Sequence, residues 1–504
     1  TLDGTIYRKG LLDLKDDAER HLADLDYIQD PEAAQKAENL SAMAIACDAA
    51  VIFAERHAEL AEQMAADEPD PERRKELLQI SETCRRVPAH TPRNFREALQ
   101  MYWFVHLGTI TELNGWDAMN PGHLDQHLYP FFKYDLGKGD LDQESAKELL
   151  ACFWIKFNNQ PAPPKVGVTA LESGTYNDFT NINLGGLNRD GTDAVNDVSY
   201  LLLDIISEMR LLQPQSNVQI SHKTPDRFLK AACRVIRQGQ GYPAVFNADA
   251  VVMEQIRTGK TLEDAREGGC SGCIETGSFG KEAYLLTGYL NLPKILELVL
   301  NNGIDPISGK AVGLPTGDPA GIKRFDDLFE AFVKQLNHIV DLKIKVNNII
   351  ERLYAANAPA PFLSVVIQDC IAKGRDYYDG GPRYNTNYIQ CCGIGTITDS
   401  LSAIKVHVYE KQVITMEDLV KALNENFEGR EALRQRLFNK TPFFGNDDDR
   451  ADQIMQRVYG ALFSAIDGKP NTKGTGYHLN MLSTTCHIYF GKMLGATPNG
   501  RLAG

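Results

Sequence analysis

The amino-acid sequence predicts an α/β protein with a mostly parallel sheet or barrel, on three observations. Residues from about 10 to 160 carry apolar positions three and four apart, the helical period. Beyond 160, short β-type runs alternate with helical stretches, the order that builds parallel sheets. No internal repeat, long linker or low-complexity segment interrupts the 504 residues, so 1–504 reads as one domain: a helical part at about 1–160, then the sheet-bearing part at about 160–504.

The elements follow in order. "LLDLKDDAERHLADLDYI" and "AQKAENLSAMAIACDAAVIFAERHAELAEQMA" are rich in Ala, Leu, Glu and Lys and read as long amphipathic helices packed on one another. "TPRNFREALQMYWFVHLGTITE" opens with Thr91 as an N-cap candidate and Pro92 at the first helical position, and becomes apolar enough for burial. "NGWDAMNPGHLD" then reads as a polar loop. The runs "TNINLGG", "NVQISH", "PAVFNADA" and "FLSVVIQ" read as strands. "PDRFLKAACRVIRQG" and "FDDLFEAFVKQLNHIVDLKIKVNNIIERLYAA" read as helices among them.

Bulk numbers narrow the function. Fifty-three Lys and Arg against 67 Asp and Glu give a net charge of −14, which argues against nucleic acid or an anionic membrane as partner and favours a small-molecule substrate. No run of about 18 uninterrupted apolar residues and no signal-peptide pattern occurs, so a cytoplasmic location is expected. Ten cysteines are too sparse for a disulfide scaffold and are expected as free thiols. The chain opens without Met at "TLDGTIYRKG" and stops in the turn-rich "GATPNGRLAG"; it reads as a fragment.

The densest chemistry lies at 268–280, "GGCSGCIETGSFG". Cys270 and Cys273 form a C-x-x-C, compatible with zinc or a redox pair, but the other eight cysteines supply no second pair at ligand spacing. Gly268, Gly269, Gly272 and Gly277 bracket them, which suggests a tight loop pushed into a confined place. Glu275 can serve acid/base work beside the thiol or be an ordinary loop carboxylate. Cys391 and Cys392 in "YIQCCGIGTITDSL" read as buried structural cysteines on a strand running into a turn. "GIGT" is too weak for a nucleotide loop, and no G-x4-G-K-[ST], H-E-x-x-H or G-x-S-x-G occurs.

The segment "GCSGCIETGSFGKEAYLLTGYLNLPKILELVLNNGIDPISGK" resembles the active-site region of the glycyl radical enzymes. "GYPAVFNADA", "PFLSVVIQDCIAKGRDYYDGGPRYN", "GIGTITDSLSAIK" and "GATPNGRLAG" are similar to that family's later landmarks, in order. The resemblance implies a ten-stranded α/β barrel of two five-stranded halves, surrounded by helices, around a central finger loop. By the motif "GCIETG" it implies a thiyl radical on Cys273 and acid/base work by Glu275, with Cys270 structural.

Within the family the loop is most similar to members that dehydrate hydroxyproline, which implies removal of water from trans-4-hydroxy-L-proline to give a pyrroline-5-carboxylate. That likeness carries over Asp117 as a further catalytic residue, and Ser173, Asp178, Phe179, Tyr289 and Thr484 as substrate-binding residues, with no metal. Ser173 and Thr484 can donate to a carboxylate and Asp117 can accept from a ring nitrogen; turn, core and strand roles are the plain alternatives. Other readings are a diol dehydratase, a C–N, C–S or C–C lyase such as an isethionate lyase or an arylacetate decarboxylase, and a zinc- or thiol-based binding protein. "HLNMLSTTCHIYF" has no Arg to meet a sulfonate, which counts against the isethionate reading.

The resemblance further implies a glycyl radical as cofactor, a radical S-adenosylmethionine activating enzyme as partner, a homodimer, and anaerobic metabolism. The Arg-Val-Ser/Ala-Gly-Tyr/Phe type of radical motif does not occur, and Gly504 lies upstream of where it would fall. The glycyl radical domain and an N-terminal portion are therefore expected to be missing from this chain, which as it stands would be inactive.

Overall fold

The computed structural model describes residues 1–113, 119–159, 179–482 and 486–504. They form two compact units: Thr1–Tyr284 with Tyr354–Asn385, and Leu285–Leu353 with Thr386–Gly504.

The first unit begins with helices α1 (Leu11–Ala23), α2 (Ala33–Asp67), α3 (Pro71–Arg86), α4 (Phe95–Glu112), α5 (Leu124–Lys138) and α6 (Gln143–Asn158). The helical period read from the sequence is realised as a buried stripe on α2, from Ala33 through Met43, Cys47, Ala54 and Ala58 to Ala65, with α1 and α3 packed on the same helix. By length and composition α2 is apolar enough to cross a membrane, but its small residues instead let neighbouring helices approach closely.

Helix α4 starts later than Thr91 suggested. Asn94 is the N-cap, its side chain accepting the Glu97 N–H at 2.9 Å, so Pro92 precedes the helix. Asn satisfies an orphan N–H of the first turn, and that bond decides the boundary over the Thr-Pro pair.

Strands β1 (Asn181–Gly185), β2 (Gln215–Ile220) and β3 (Ala244–Asn247) form a parallel sheet in the order β1-β2-β3. Asn181 lies opposite Gln215, and Asn217 opposite Ala244. Helices Asp197–Met209 and Asp226–Ile236 connect them, the βαβ arrangement that the strand and helix alternation predicted. Two-residue strands β4 (Gly269–Cys270) and β5 (Thr276–Gly277) then pair antiparallel and close a short hairpin.

"FLSVVIQ" is not a strand. Pro361–Val366 is a helix, with Pro361 in its first turn and both Glu112 oxygens accepting from it, Oε1 from Phe362 N–H at 2.8 Å and Oε2 from Leu363 N–H at 2.9 Å. A carboxyl group on the otherwise unpaired donors of a helix start overrides the β preference of Val365 and Val366.

The second unit holds most of the sheet β6 (Glu282–Asn291), β7 (Tyr384–Cys392) and β8 (Tyr477–Met481), ordered β6-β7-β8 with β7 and β8 parallel. Its core gathers Leu292, Leu296, Phe332, Leu336, Ile389, Leu401 and Leu462 from this sheet and the surrounding helices. Cys391 and Cys392 are buried at the end of β7, as the sequence suggested, and a helix, Ile394–Ile404, follows them. Among the described residues the α/β class is thus carried by eight strands in three sheets within a helix-rich chain.

Candidate active site

The hairpin β4–β5 carries Cys273 and Glu275 at its tip. The Glu275 carbonyl accepts the Ser271 N–H at 2.7 Å and the Ser271 hydroxyl at 3.2 Å, which closes the tip into a tight turn. The Glu275 side chain then folds back. Its Oε2 accepts the N–H of Cys273 at 2.9 Å and of Ile274 at 3.2 Å. Two successive N–H groups converging on one oxygen make a small anion-binding concavity, and the loop's own carboxylate fills it.

Space for this arrangement comes from a glycine. A Cβ on Gly272 would stand 2.5 Å from Glu275 Oε2, closer than any carbon approaches an oxygen without moving it. The glycines that signalled a confined loop in the sequence therefore have a local reason: the carboxylate occupies the volume a side chain would need.

The two cysteines have opposite environments. Cys270 is fully buried, its Sγ donating to the Gly272 carbonyl at 3.4 Å, and burial holds its thiol well above the ordinary range. Cys273 is exposed at the tip, yet desolvation, with the neighbouring Glu275 charge second, pushes its thiol up to about 12. A protonated thiol on an exposed residue can give up a hydrogen atom, and the thiyl radical that is left can take one back. The protonated thiol is a poor thiolate nucleophile and a poor metal ligand at neutral pH. Among the described residues no three His, Cys, Asp or Glu side chains come together in a way that could hold a metal ion.

Behind the hairpin stands a bed of buried carboxamides. Asn183 Nδ2 donates to the Cys270 carbonyl at 2.8 Å, Asn120 Nδ2 to the Ser271 carbonyl, and Asn181 Nδ2 to the Gly272 carbonyl at 2.7 Å. The three consecutive carbonyls that precede Cys273 are thus each held by a different Asn. His123 adds a fourth hold, its Nε2 2.9 Å from the Gly268 carbonyl; burial depresses its pKa to about 4, so it is a neutral imidazole donating through that nitrogen.

These amides were not singled out from the sequence, though a signal was present. "NINL" and "NVQI" alternate amide and apolar residues, so one face of β1 and β2 presents Ile182, Leu184 and Val218 to the core and the other presents Asn181, Asn183, Asn217 and Gln219 to the hairpin. All four amides are buried, a placement that is costly unless every one finds partners.

The remaining sequence candidates divide in two. Phe179 is half-buried just before β1, and Tyr289 is half-buried on β6 in the second unit, its ring edge-on to Phe490 at 6.5 Å. Asp117, Ser173, Asp178 and Thr484 lie outside the described residues.

The chain is similar to known proteins along nearly its whole length. The chain is 58% identical over 498 residues to the trans-4-hydroxy-L-proline dehydratase of Clostridioides difficile, covering 99% of this chain and 63% of that protein. It is 33% identical to the isethionate sulfite-lyase of Oleidesulfovibrio alaskensis, covering 99% of this chain and 60% of that one. Among solved structures, hydroxyproline dehydratase from Clostridioides difficile with trans-4-hydroxy-L-proline bound superposes with a TM-score of 0.97 at 57% identity, over 100% of this chain and 64% of that one. The glycerol-bound B12-independent glycerol dehydratase of Clostridium butyricum gives 0.92 at 32% identity, over 99% and 63%. The chain thus spans just under two thirds of the length of these relatives. Residues 1–491 match the pyruvate formate lyase-like family, and the chain belongs to that family of glycyl radical enzymes.

Proposed function

We propose that the protein containing this chain is a dehydratase that removes water from trans-4-hydroxy-L-proline to give a pyrroline-5-carboxylate, through hydrogen-atom transfer at Cys273. The observation that carries the reading is the hairpin tip: an exposed Cys273 with a protonated thiol, whose backbone N–H is bonded to the carboxylate two residues on. The 58% identity to a hydroxyproline dehydratase favours this substrate over the glycerol, 1,2-propanediol and isethionate of the more distant relatives. Each parallel-type sheet is proposed to belong to one five-stranded half of a ten-stranded barrel, the two units making one catalytic domain.

When present, the family's glycyl radical supplies an acceptor for the Cys273 hydrogen atom, and a radical S-adenosylmethionine activating enzyme is the proposed source of that radical. Cys273 fits this role because the residue is exposed at the hairpin tip and its thiol carries a hydrogen. As a thiyl radical it takes one hydrogen atom from the ring carbon beside nitrogen. The neighbouring C–O bond then breaks, the oxygen leaving as water with a proton from Glu275. The ring nitrogen gives up its proton, proposed to go to Asp117, and the Cys273 S–H returns a hydrogen atom to the product radical. One water is lost, the thiyl radical re-forms, and the product tautomerises to the pyrroline. A radical centre beside an ionisable nitrogen lowers the barrier to expelling the adjacent hydroxyl, provided an acid is in place. Ser173, Asp178, Phe179, Tyr289 and Thr484 are the proposed substrate contacts.

The test is to activate the full-length protein anaerobically and offer trans-4-hydroxy-L-proline, glycerol, choline and isethionate in parallel. Consumption of hydroxyproline with appearance of pyrroline-5-carboxylate is expected. Turnover of another compound with hydroxyproline untouched refutes the assignment.

A further inference from the structure

The catalytic hairpin has only two two-residue strands of its own, too few ladder bonds to hold its shape alone. Its position must come from outside. Asn183, Asn120 and Asn181 supply it, one Nδ2 to each of the carbonyls of residues 270, 271 and 272 in succession.

The orientation of each amide is itself fixed. Asn217 Nδ2 donates to Asn181 Oδ1 at 3.0 Å, which leaves Asn181 Nδ2 facing the loop. Gln219 Nε2 donates to Asn183 Oδ1 at 2.8 Å, and the same oxygen accepts the Cys270 N–H at 3.1 Å. Asn120 Oδ1 accepts the Asn181 N–H at 2.5 Å. The amides are buried and bonded in two groups, Asn217 with Asn181 and Asn120, and Gln219 with Asn183, each tied to the hairpin, so none can turn without leaving a partner unsatisfied.

The choice of amides is chemically specific. A carboxylate could not donate to a carbonyl, and a charged base would pull at Glu275. A carboxamide donates and accepts at once and does not titrate. Its N–H is also a stronger bond than S–H, so a sulfur radical beside it does not draw a hydrogen atom from the clamp.

We propose that Asn181, backed by Asn217, and with Asn183 and Asn120 beside it, is a positioning residue for hydrogen-atom transfer: its bond to the Gly272 carbonyl sets the peptide plane that leads into Cys273 and so aims the sulfur. The functional consequence rests on the radical reading of Cys273; the positional claim does not. An aim error of about 1 Å is enough to cost on the order of a hundredfold in rate.

Asn181→Ala and Asn217→Leu test it in two ways. In unactivated protein, alkylation of Cys273 by iodoacetamide is followed by mass spectrometry against the exposed Cys152 and Cys233. Both variants are expected to change the Cys273 rate by about threefold or more while the reference cysteines stay constant. In activated full-length protein, substrate deuterated at the ring carbon beside nitrogen should show a primary isotope effect that rises above wild type, with kcat down by about a hundredfold and KM little changed. A merely structural role lowers the folded fraction and leaves both the isotope effect and the relative labelling at wild-type values; that result overturns the proposal. Should Asn181→Ala not fold, Asn217→Leu, which leaves the loop contact in place but frees its orientation, decides alone. If hydroxyproline is never consumed, the functional reading fails while the labelling still settles the clamp.

Discussion

The Cys273 N–H donates to the Glu275 carboxylate at 2.9 Å, so the proposed hydrogen-transfer residue and its acid are bonded within one loop. Neither can shift alone. The acid therefore keeps a fixed distance from the thiol's own backbone, and substrate has to be presented to both at once.

Gly272→Ala tests that coupling with the smallest change available. Its backbone is not in the left-handed region, so alanine is tolerated there conformationally, but the new Cβ would meet Glu275 Oε2 at 2.5 Å. The carboxylate must leave the two N–H groups it accepts. We expect kcat to fall by about a hundredfold with the melting temperature little changed, measured by steady-state kinetics and differential scanning calorimetry. A large loss of stability with normal specific activity in the folded fraction would show the contact to be structural only.

Glu275→Gln keeps an oxygen to accept the Cys273 N–H but removes the acidic proton. The loop should hold its shape while kcat drops by roughly 10²- to 10⁴-fold, the range for loss of a general acid, with KM less affected. A variant retaining near wild-type kcat would take the acid role away from Glu275.

The same variant should change the thiol. Burial raises the Cys273 thiol to about 12, with the Glu275 charge second. A raised pKa keeps the S–H intact at neutral and mildly basic pH, so about one molecule in a thousand is ionised at pH 9. Alkylation of Cys273 is expected to rise about tenfold per pH unit from 8 through 10 without levelling, and to be faster at pH 9 in Glu275→Gln, where the opposing charge is gone. A plateau near pH 9 in wild type would mean an unperturbed thiol, and an accessible thiolate would then compete with hydrogen transfer.

How much of this was legible in the sequence depends on the range of the forces involved. Helix α2 and the β1-β2-β3 unit were readable because burial imprints a period on the chain, as in Ala54, Ala58, Ala61 and Ala65. The tight loop that carries Cys273 and Glu275 was readable through its glycines. Pro361–Val366 was misread because its helix depends on Glu112, some 250 residues away, which no local pattern records. The Asn181–Asn183 face was passed over for a related reason: alternating amides look like a solvated strand face until the hairpin that covers them is in place.

Cys270→Ser and Cys273→Ser separate the two thiols. Cys270 is buried; its Sγ donates to the Gly272 carbonyl at 3.4 Å and accepts from Asn181 Nδ2 at 3.7 Å, two bonds a hydroxyl can also make, so Cys270→Ser should lower activity modestly. Cys273→Ser should abolish turnover, since the stronger O–H bond cannot take part in the hydrogen exchange. The inverse pattern, measured on anaerobically activated protein, would transfer the chemistry to Cys270.

The carboxamide bed has a titratable anchor of its own, which yields a stability prediction. Asp125 is fully buried at the start of α5, its Oδ2 accepting the Gly185 N–H at 2.8 Å and the Ser199 hydroxyl at 2.5 Å, and so ties down the end of the strand that carries Asn181 and Asn183. Desolvation raises its pKa from 3.8 to about 6, against the lowering effect of those donors. Because the folded value lies above the unfolded one, the folded state binds the proton more tightly. The contribution is complete below about pH 4 and is lost as pH rises through 6. Over that window wild type should lose about 3 kcal/mol relative to Asp125→Asn, which does not titrate. The variant is expected to start less stable at pH 4, where its amide meets the Gln126 N–H that the carboxyl oxygen accepts at 2.9 Å, and to close the gap by pH 7. Paired melting curves between pH 4 and 7 measure the difference directly, since every other carboxylate titrates in both proteins. A melting-temperature gap that stays constant across the window would mean that Asp125 ionises normally and that β1 is anchored by its hydrogen bonds alone.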